Sequence, residues 1–280
     1  MTQFPRTSIG GLSVPRMIIG TNWFMGWSHT SKAQDNFIKG LQTREKIADV
    51  VEVFFNAGIN AILGGGPDAA RFTEGLAEAE QRTGVASIWM GTPTLNLDGT
   101  QAASDENMRT LDAYRAAGCR ICMPHQATTD ALLDRRTRTI RDIEPILAAI
   151  REREMIPGLS THMPEAPIYA DETGIDVETY IQIYNAAGFL MQIEVDWVHR
   201  SIWRRQKPVI TIKPIAAGRV HPLVGLAFNW ATIRDQDMVC VGCMTPDEAR
   251  EDIEISLSLL EHRAADVELQ STRSKASVTE

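Results

Sequence analysis

The sequence lacks the features of a membrane, secreted or nucleic-acid-binding protein. No apolar run approaches the roughly 18–20 residues that cross a bilayer, and the amino-terminal segment MTQFPRTSIGGL has no apolar core of a signal peptide. The 280 residues carry 28 basic and 36 acidic side chains, a net charge of −8. This acidic balance disfavours nucleic acid and anionic membranes as partners. We therefore expect a cytoplasmic protein whose partner is a small-molecule substrate.

Cysteine is scarce, with four residues in two C-x-x-C pairs, Cys119/Cys122 and Cys240/Cys243. Both pairs fall in or beside predicted strands, where side chains three apart point to opposite faces, so neither pair is expected to chelate as a unit. The distance between the pairs is also far longer than zinc sites use. The four thiols are therefore expected in the core.

The sequence also lacks the G-x-G-x-x-G motif of a dinucleotide-binding open sheet, and what it has instead is a regular alternation of strand and helix patterns. Eight strands are predicted at 16–23, 59–65, 85–91, 120–125, 156–162, 189–197, 208–218 and 238–244. Helices are predicted at 43–58, 67–84, 104–118, 127–154, 177–188, from 198 to about 206, 222–235 and 245–263. The pattern indicates an α/β protein, a (β/α)8 TIM barrel over 1–263 with a polar tail over 264–280.

A barrel of this kind places its active site at the carboxyl ends of the strands. These ends carry Asn22, the loop from Gly64 to Asp68, Gly91 with Thr92, His125, His162, Glu194 with Asp196, Lys213 and Gly242. The loop 24–42 is long and aromatic, and it is interpreted equally as a lid over the mouth or as an ordinary insertion. The stretch ILGGGPDAARF is expected to form a tight turn into a helix, because it lacks the Lys-Ser/Thr of a phosphate-binding loop.

The predicted strand FLMQIEVDW, 189–197, puts polar side chains on the barrel axis. Gln192, Glu194 and Asp196 share the inward parity, and a carboxylate inside a barrel needs a cation or a shared proton. His125 and His162 end the two preceding strands, so they can converge with Glu194. Two imidazoles and a carboxylate suit Zn²⁺, Mn²⁺ or Fe²⁺. The alternatives are a polar site without metal and purely structural hydrogen bonds.

Lys213 is the only lysine at a predicted strand end. A desolvated lysine can form a Schiff base or act as a base, and a charged one can hold a carboxylate or phosphate. An ion pair with Glu194 or Asp196 is an equal alternative. Four catalytic candidates thus emerge: His125, His162, Glu194 and Lys213. Candidate substrate-binding residues are Asn22, Asp68, Gln192, Asp196 and Arg219.

Four segments together resemble the aldo/keto reductase superfamily: IGGLSVPRMIIGTNWF, AGINAIL, KPIAAGRV and VCVGCMTPDEAREDI. The resemblance implies the fold and the NAD(P)H-dependent carbonyl reduction of that family, which uses Asp, Tyr, Lys and His. Leu63 stands at the position of the Asp and Asp68 at that of the Tyr. No lysine occurs between Lys46 and Lys207, so the third-strand Lys is absent. Only His125 matches the family's catalytic pattern.

The missing residues argue against ordinary carbonyl reduction. The function expected from the sequence is a non-redox enzyme, a lyase, epimerase or hydrolase, that acts on a polar carbonyl or hydroxyl compound such as a sugar derivative. A divalent metal is the cofactor weighed first, and NAD(P)H is expected less. The alternatives are a divergent NAD(P)H-dependent reductase that uses His125 as its acid, and a binding barrel without chemistry.

Overall fold

Short parallel strands form the centre of the computed structural model, which describes residues 3–270 together with 272, 274, 275 and 278. The strands are β1 (Arg6–Ile9), β2 (Leu12–Pro15), β3 (Met17–Gly20), β4 (Ala61–Leu63), β5 (Ile88–Gly91), β6 (Ile121–Cys122), β7 (Leu133–Asp134), β8 (Thr139–Ile140), β9 (Ile156–Pro157), β10 (Leu159–Ser160), β11 (Tyr180–Ile183), β12 (Val209–Ile212) and β13 (Met238–Val241).

The helices alternate with the central strands. They are α1 (Asn22–Met25), α2 (Lys32–Leu41), α3 (Arg44–Asn56), α4 (Ala70–Thr83), α5 (Gln101–Ala116), α6 (Gln126–Thr129), α7 (Glu144–Glu152), α8 (Ala166–Thr173), α9 (Val195–Arg204), α10 (Pro222–Thr232) and α11 (Pro246–Leu260). Two short 3₁₀ turns lie at Asp130–Leu132 and Ala216–Gly218.

Nine of the strands pair in the parallel order β10-β11-β12-β13-β3-β4-β5-β6-β9. The two ends of this order, β9 and β10, are consecutive in the chain and are separated only by Gly158. They therefore act as one interrupted strand that pairs with β6 on one side and β11 on the other. The sheet closes into an eight-stranded ring, and the predicted (β/α)8 barrel is confirmed.

The barrel interior is filled by apolar side chains, and the antiparallel hairpin β1–β2 lies at its amino-terminal end. Ile9 and Val14 of the hairpin belong to the same buried cluster as the inward residues of the strands. A second, larger cluster packs the outer strand faces against the helices. Because the amino-terminal end is closed and packed, the opposite end is left as the place for a site.

Several of the longer helices begin at a capping residue. Thr43, Thr100 and Thr245 each accept a hydrogen bond from a backbone N–H of the first helical turn, at α3, α5 and α11. Pro246 follows Thr245 at the first position of α11, where a missing N–H costs nothing. The predicted helices at 43–58, 67–84, 104–118 and 245–263 are thus confirmed to within a few residues.

The predicted sixth strand and the helix before it are wrong. Residues 180–183 of the predicted helix 177–188 form β11, and the predicted strand 189–197 is a loop that leads into α9. Leu190 has a positive φ of 56°, a left-handed conformation that interrupts an extended strand. Asn185 holds this loop, since its side chain both accepts from Phe189 N and donates to Phe189 O.

Other boundaries also differ from the prediction. The predicted helix 127–154 is broken into α6, the small hairpin β7–β8 and α7, and the helix α8 was not predicted. Residues 264–270 of the predicted tail form neither helix nor strand, but Ala265 and Val267 pack against the core. Most of the remaining tail lies outside the described residues. Within the described part of the chain, every helix is too short or too polar to cross a membrane.

All four cysteines are free and buried, as predicted. The geometry behind that prediction is wrong for one pair: Cys119 precedes β6, its thiol donates to Ile121 O at 3.1 Å, and it lies with Cys122 in the outer core. Cys240 and Cys243 do lie apart, the first in the barrel interior and the second in the outer core.

Candidate active site

A cavity of about 660 Å³ opens at the carboxyl end of the strands. Its walls come from the segments that follow β3, β4, β5, β6, β10, β12 and β13. The cavity has the size of a small-molecule site, for which volumes of about 300–1,000 Å³ are usual. Its titratable and polar lining includes Asn22, His29, Asp68, Tyr114, His125, His162, Lys213 and Cys240.

Lys213 lies directly after β12, and its side chain lines the cavity. Its backbone has a φ of 60°, and two further non-glycine residues with positive φ, Ala216 and Ala217, follow in the same loop. Such left-handed residues cost about 1–3 kcal/mol each and concentrate at functional sites. Burial lowers the pKa of the Lys213 ammonium, and the electrostatic effect of Cys240 opposes this shift.

No carboxylate of the described residues pairs with Lys213. None contributes to the shift of its pKa, and its ammonium has neither an ion pair nor a side-chain hydrogen bond there. The alternative of an ion pair with Glu194 or Asp196 is therefore wrong. Lys207, five residues before β12 ends, shows the contrast, because its ammonium lies 3.3 Å from a carboxylate oxygen of Glu178.

The cavity also contains the two predicted histidines. His125 follows β6, and its Nδ1 accepts a hydrogen bond of 3.3 Å from the backbone N–H of Ala127. In the neutral ring the proton is therefore on Nε2. Burial, and then the charge of Lys213, lower the pKa of His125; the same two causes, with smaller effects of the other imidazoles, lower that of His162 to about 4.

The loop that carries His162 is fixed by a half-buried carboxylate. Asp130 accepts hydrogen bonds from the hydroxyl of Thr161 and, at 3.1 Å, from the backbone N–H of His162. Burial raises the pKa of Asp130, partly offset by these bonds. Asp130 thus positions His162 without lining the cavity itself.

His29 is a site residue that the sequence prediction missed. The first part of the 24–42 loop brings it to the cavity, where Asn22 Nδ2 lies 2.9 Å from His29 Nε2. If the amide donates, the neutral ring of His29 carries its proton on Nδ1. Burial and then Lys213 lower the pKa of His29. His29 is the sixth residue of the 24–42 loop, where the sequence has no periodic pattern, so only the structure reveals its position.

The glycine-rich stretch forms a tight turn that lines the cavity, with positive φ at Gly64 and Gly65. Asp68 is exposed but also lines the cavity, on the wall after β4. At the end of the third barrel strand, a Cβ on Gly91 would lie 2.4 Å from the ring of Tyr114. The ring therefore occupies the space that a side chain at Gly91 needs, and no lysine fits there.

Three predicted site residues lie elsewhere. Glu194 is the exposed N-cap residue of α9, and Gln192 and Asp196 beside it are exposed as well. These residues do not line the cavity because 189–194 is a surface loop and not an inward-facing strand. Arg219 is exposed near the cavity, with its guanidinium 4.1 Å above the Phe189 ring.

The predicted metal triad is not assembled. The histidines share the cavity, but Glu194 lies outside it, and no group of three His, Cys, Asp or Glu side chains among the described residues is arranged to hold a metal ion. The site that remains consists of a lysine, three imidazoles, a tyrosine and one carboxylate.

Comparison with known proteins identifies the fold. No protein-family model matches the sequence, and no curated protein matches it. Among solved structures, a protein from Pseudomonas aeruginosa described as a "putative aldo-keto reductase" is 17% identical with a TM-score of 0.66, over 91% of this chain and 95% of that chain.

Two further structures extend the comparison. An aldo/keto reductase from Klebsiella pneumoniae, in complex with NADP and acetate, is 14% identical with a TM-score of 0.54, over 96% of this chain and 98% of that one. A thiamine phosphate pyrophosphorylase from Pyrococcus furiosus is 11% identical with a TM-score of 0.51, over 88% and 95% of the two chains. The chain therefore has the (β/α)8 barrel fold that the aldo-keto reductases share.

Proposed function

We propose that the protein is a non-redox enzyme of polar carbonyl compounds, a lyase or epimerase in which the amine of Lys213 attacks the substrate carbonyl. The observation that carries the proposal is the position of Lys213: it lines the cavity among three imidazoles, without a carboxylate partner. A lysine of lowered pKa holds more of the neutral amine at neutral pH, and only the amine is a nucleophile.

The chemistry follows from the amine. Lys213 Nζ forms a bond to the carbonyl carbon, and the carbonyl π electrons move to oxygen. The nitrogen loses one proton and the oxygen gains two, one of them from solvent. The oxygen then leaves as water while the nitrogen lone pair forms the C=N bond of a protonated imine. The imine withdraws electrons from the adjacent carbon, so that a neighbouring C–H or C–C bond breaks more easily. Hydrolysis of the imine then returns the amine and releases the product.

The imidazoles supply a hydrogen-bond donor and a base. His125 in its neutral form presents an Nε2–H donor, because its Nδ1 accepts from Ala127 N. This donor can form a hydrogen bond to the carbonyl oxygen and so polarise the carbonyl group for attack. His162 is neutral above its pKa of about 4, so at neutral pH it can accept a proton from a substrate hydroxyl or carbon acid.

The residues do not fit a nicotinamide dinucleotide. In the loop after β13, the carboxylate of Glu248 accepts a hydrogen bond of 2.6 Å from Met244 N, and Thr245 caps the helix that follows. Asp247 and Glu248 add two acidic residues to the first turn of α11, so its amino terminus offers a phosphate little attraction. The proposed mechanism therefore uses no such cofactor.

Reductive trapping tests the proposal. The protein is incubated with glycolaldehyde, dihydroxyacetone or pyruvate and sodium cyanoborohydride, and the adduct is located by peptide mass spectrometry. We expect one stoichiometric adduct on Lys213, absent in Lys213→Met. Lys207→Met is the matched control, and it should keep the adduct.

Two results would contradict the proposal. One is labelling of Lys213 no faster than of Lys207. The other is oxidation of NADPH or NADH with aldehydes or ketones at rates on the order of 1 s⁻¹ or more, typical of enzymes, which would support a reductase instead.

A further inference from the structure

The lining of the cavity does not share the acidic balance of the whole protein. The chain has a net charge of −8, yet the charged side chains in the cavity lining are one lysine, Lys213, and one carboxylate, Asp68, beside three imidazoles of lowered pKa. Asp68 follows β4, whereas Lys213 follows β12, and β13 and β3 lie between these two strands in the ring. The single acidic group therefore stands on a different wall from the lysine.

The other acidic groups near the mouth are engaged by the protein itself. Asp35 accepts bonds of 2.9 and 2.7 Å from the backbone and hydroxyl of Ser28. Asp130 holds the 161–162 backbone, and Glu248 holds Met244 N. Of these, only Asp35 contributes to the electrostatics of a cavity histidine, His29. Positive charge at Lys213 is thus left without a local counterion.

Arg219 adds a second cation near the mouth in a fixed orientation. Its guanidinium lies 4.1 Å above the ring of Phe189, and its Nη1 donates to Ala216 O at 3.2 Å. The charge of Arg219 contributes to lowering the pKa of His29, whose Nε2 lies 2.9 Å from Asn22 Nδ2. Among the described residues it forms no ion pair, so guanidinium N–H groups remain for a ligand.

We infer that the substrate is an anionic carbonyl compound, in which a carboxylate or phosphate group is bound by Arg219 and His29 while the carbonyl carbon lies at Lys213. This inference rests on the proposed function for its carbonyl part only. The anion supplies the counter-charge that the cavity lacks, and a guanidinium matches the geometry of both carboxylate and phosphate oxygens.

Matched pairs of carbonyl compounds test the inference in the full-length protein. The concentration that gives half-maximal trapping on Lys213 is measured for glycolaldehyde against glyoxylate, and for glyceraldehyde against glyceraldehyde 3-phosphate. We expect at least a tenfold lower value for the anion in one pair, and the pair that shows it distinguishes a carboxylate from a phosphate substrate. Salt should weaken the preference.

Variants assign the preference to the named residues. Arg219→Gln and His29→Gln should each reduce the anion preference severalfold, measured as the ratio of half-maximal concentrations for the uncharged and the anionic compound of a pair. Arg200→Gln is the matched control, because that exposed guanidinium also stacks on an aromatic ring, that of Trp197 at 5.8 Å, but outside the cavity. It should keep the preference.

The two proposals fail in different ways. Equal trapping of charged and uncharged compounds on Lys213 would overturn the anionic substrate and leave the amine nucleophile intact. If no compound is trapped, oxalate and inorganic phosphate are titrated calorimetrically. Binding that Arg219→Gln weakens would then support the anion site without the imine, and no binding would overturn both.

Discussion

At the scale of single residues, burial of the charged Lys213 ammonium destabilises the folded protein. Its pKa is lowered in the folded protein from a usual value of 10.5, so folding disfavours the ammonium. This cost is present below the folded-state pKa and disappears as the pH rises through 10.5.

We predict that Lys213→Met raises the free energy of unfolding at pH 7 by about 1–2 kcal/mol, because an unpaired charge is replaced by an apolar chain of similar length. Urea denaturation at pH 7 and pH 9.5 measures the effect, which should shrink at the higher pH. Lys207→Met should not stabilise, since that ammonium pairs with Glu178. A loss of stability in Lys213→Met would mean that the ammonium has a favourable partner.

His162 gives a second prediction, with the same direction of pH dependence in a lower pH window. Its pKa falls from 6.5 to about 4 on folding, so between these values the unfolded chain binds a proton that the folded protein does not. Wild-type stability therefore decreases as the pH falls through this window. His162→Gln has no such titration. The difference in free energy of unfolding between this variant and wild type should therefore shift by about 2 kcal/mol in favour of the variant as the pH falls from 7 to 4.

The measurement is chemical denaturation of wild type and His162→Gln at several pH values in that window. His221→Gln, an exposed substitution outside the cavity, is the matched control. A constant difference between His162→Gln and wild type across the window would show that His162 titrates normally.

The sequence identified five of the groups in the cavity, four of them for a simple reason. The four are Asn22, His125, His162 and Lys213, which follow barrel strands within three residues, and strand ends meet at one mouth whatever the exact register. The fifth, Asp68, lies in the turn after β4. The prediction for Glu194 is wrong because it depended on alternation along a strand, and residues 189–194 form a loop instead. His29 depends on the path of a loop, which periodicity does not encode.

At the scale of elements, the interrupted strand β9–β10 is closely packed at Gly158. A Cβ on Gly158 would lie 2.8 Å from Met123 Cγ, and equally close to the methyl and the carbonyl oxygen of Thr179. The neighbours include backbone, which cannot move away cheaply. The glycine is therefore required by close approach.

We predict that Gly158→Ala destabilises the protein by about 2–4 kcal/mol, because the added methyl group overpacks the interior. Gly40→Ala is the matched control: it lies in α2 with nothing within 4 Å of its Cβ position, and a helix gains about 0.5–1 kcal/mol from this change. Thermal and urea denaturation of both variants give the comparison. Equal effects of the two substitutions would show that the ring relaxes at Gly158.

Elements were predictable where the length of the periodic pattern and the residues at its ends indicated the same element. The capped helices α3 and α11 and the apolar strands β3 and β13 follow directly from their residues. The segment 177–188 fits helical spacing, yet its Tyr and Ile residues favour a strand, and tertiary pairing with β12 decides the outcome. The positive φ of Leu190, at a residue that is not glycine, has no signal in the sequence.

At the scale of the whole molecule, the carboxyl-terminal boundary is testable. The prediction of one barrel over 1–263 ends before Val267, which packs against the core, and before Asp266, whose N–H donates to Glu254 at 2.8 Å. Truncation after residue 263 should therefore cost about 1–2 kcal/mol, from lost apolar burial and one hydrogen bond.

The truncated protein should still unfold in a single transition, because one continuous outer core joins the helices. Calorimetry of the truncated chain and of full-length Val267→Ser measures both points. The point variant should reproduce about half of the loss. Two separate transitions would show that the chain contains more than one folding unit.

The interruption of the strand β9–β10 at Gly158 has a consequence for how the protein can be divided. A cut there leaves one piece with β3 to β6, β9 and His125, and another with β10 to β13, His162 and Lys213. Each piece is an open sheet with two unpaired edges, and neither carries the full set of reacting groups. If the pieces are fused to two other proteins, contact between those proteins would bring the pieces together and restore the proposed imine formation. Trapping of the adduct on Lys213 would then measure the contact.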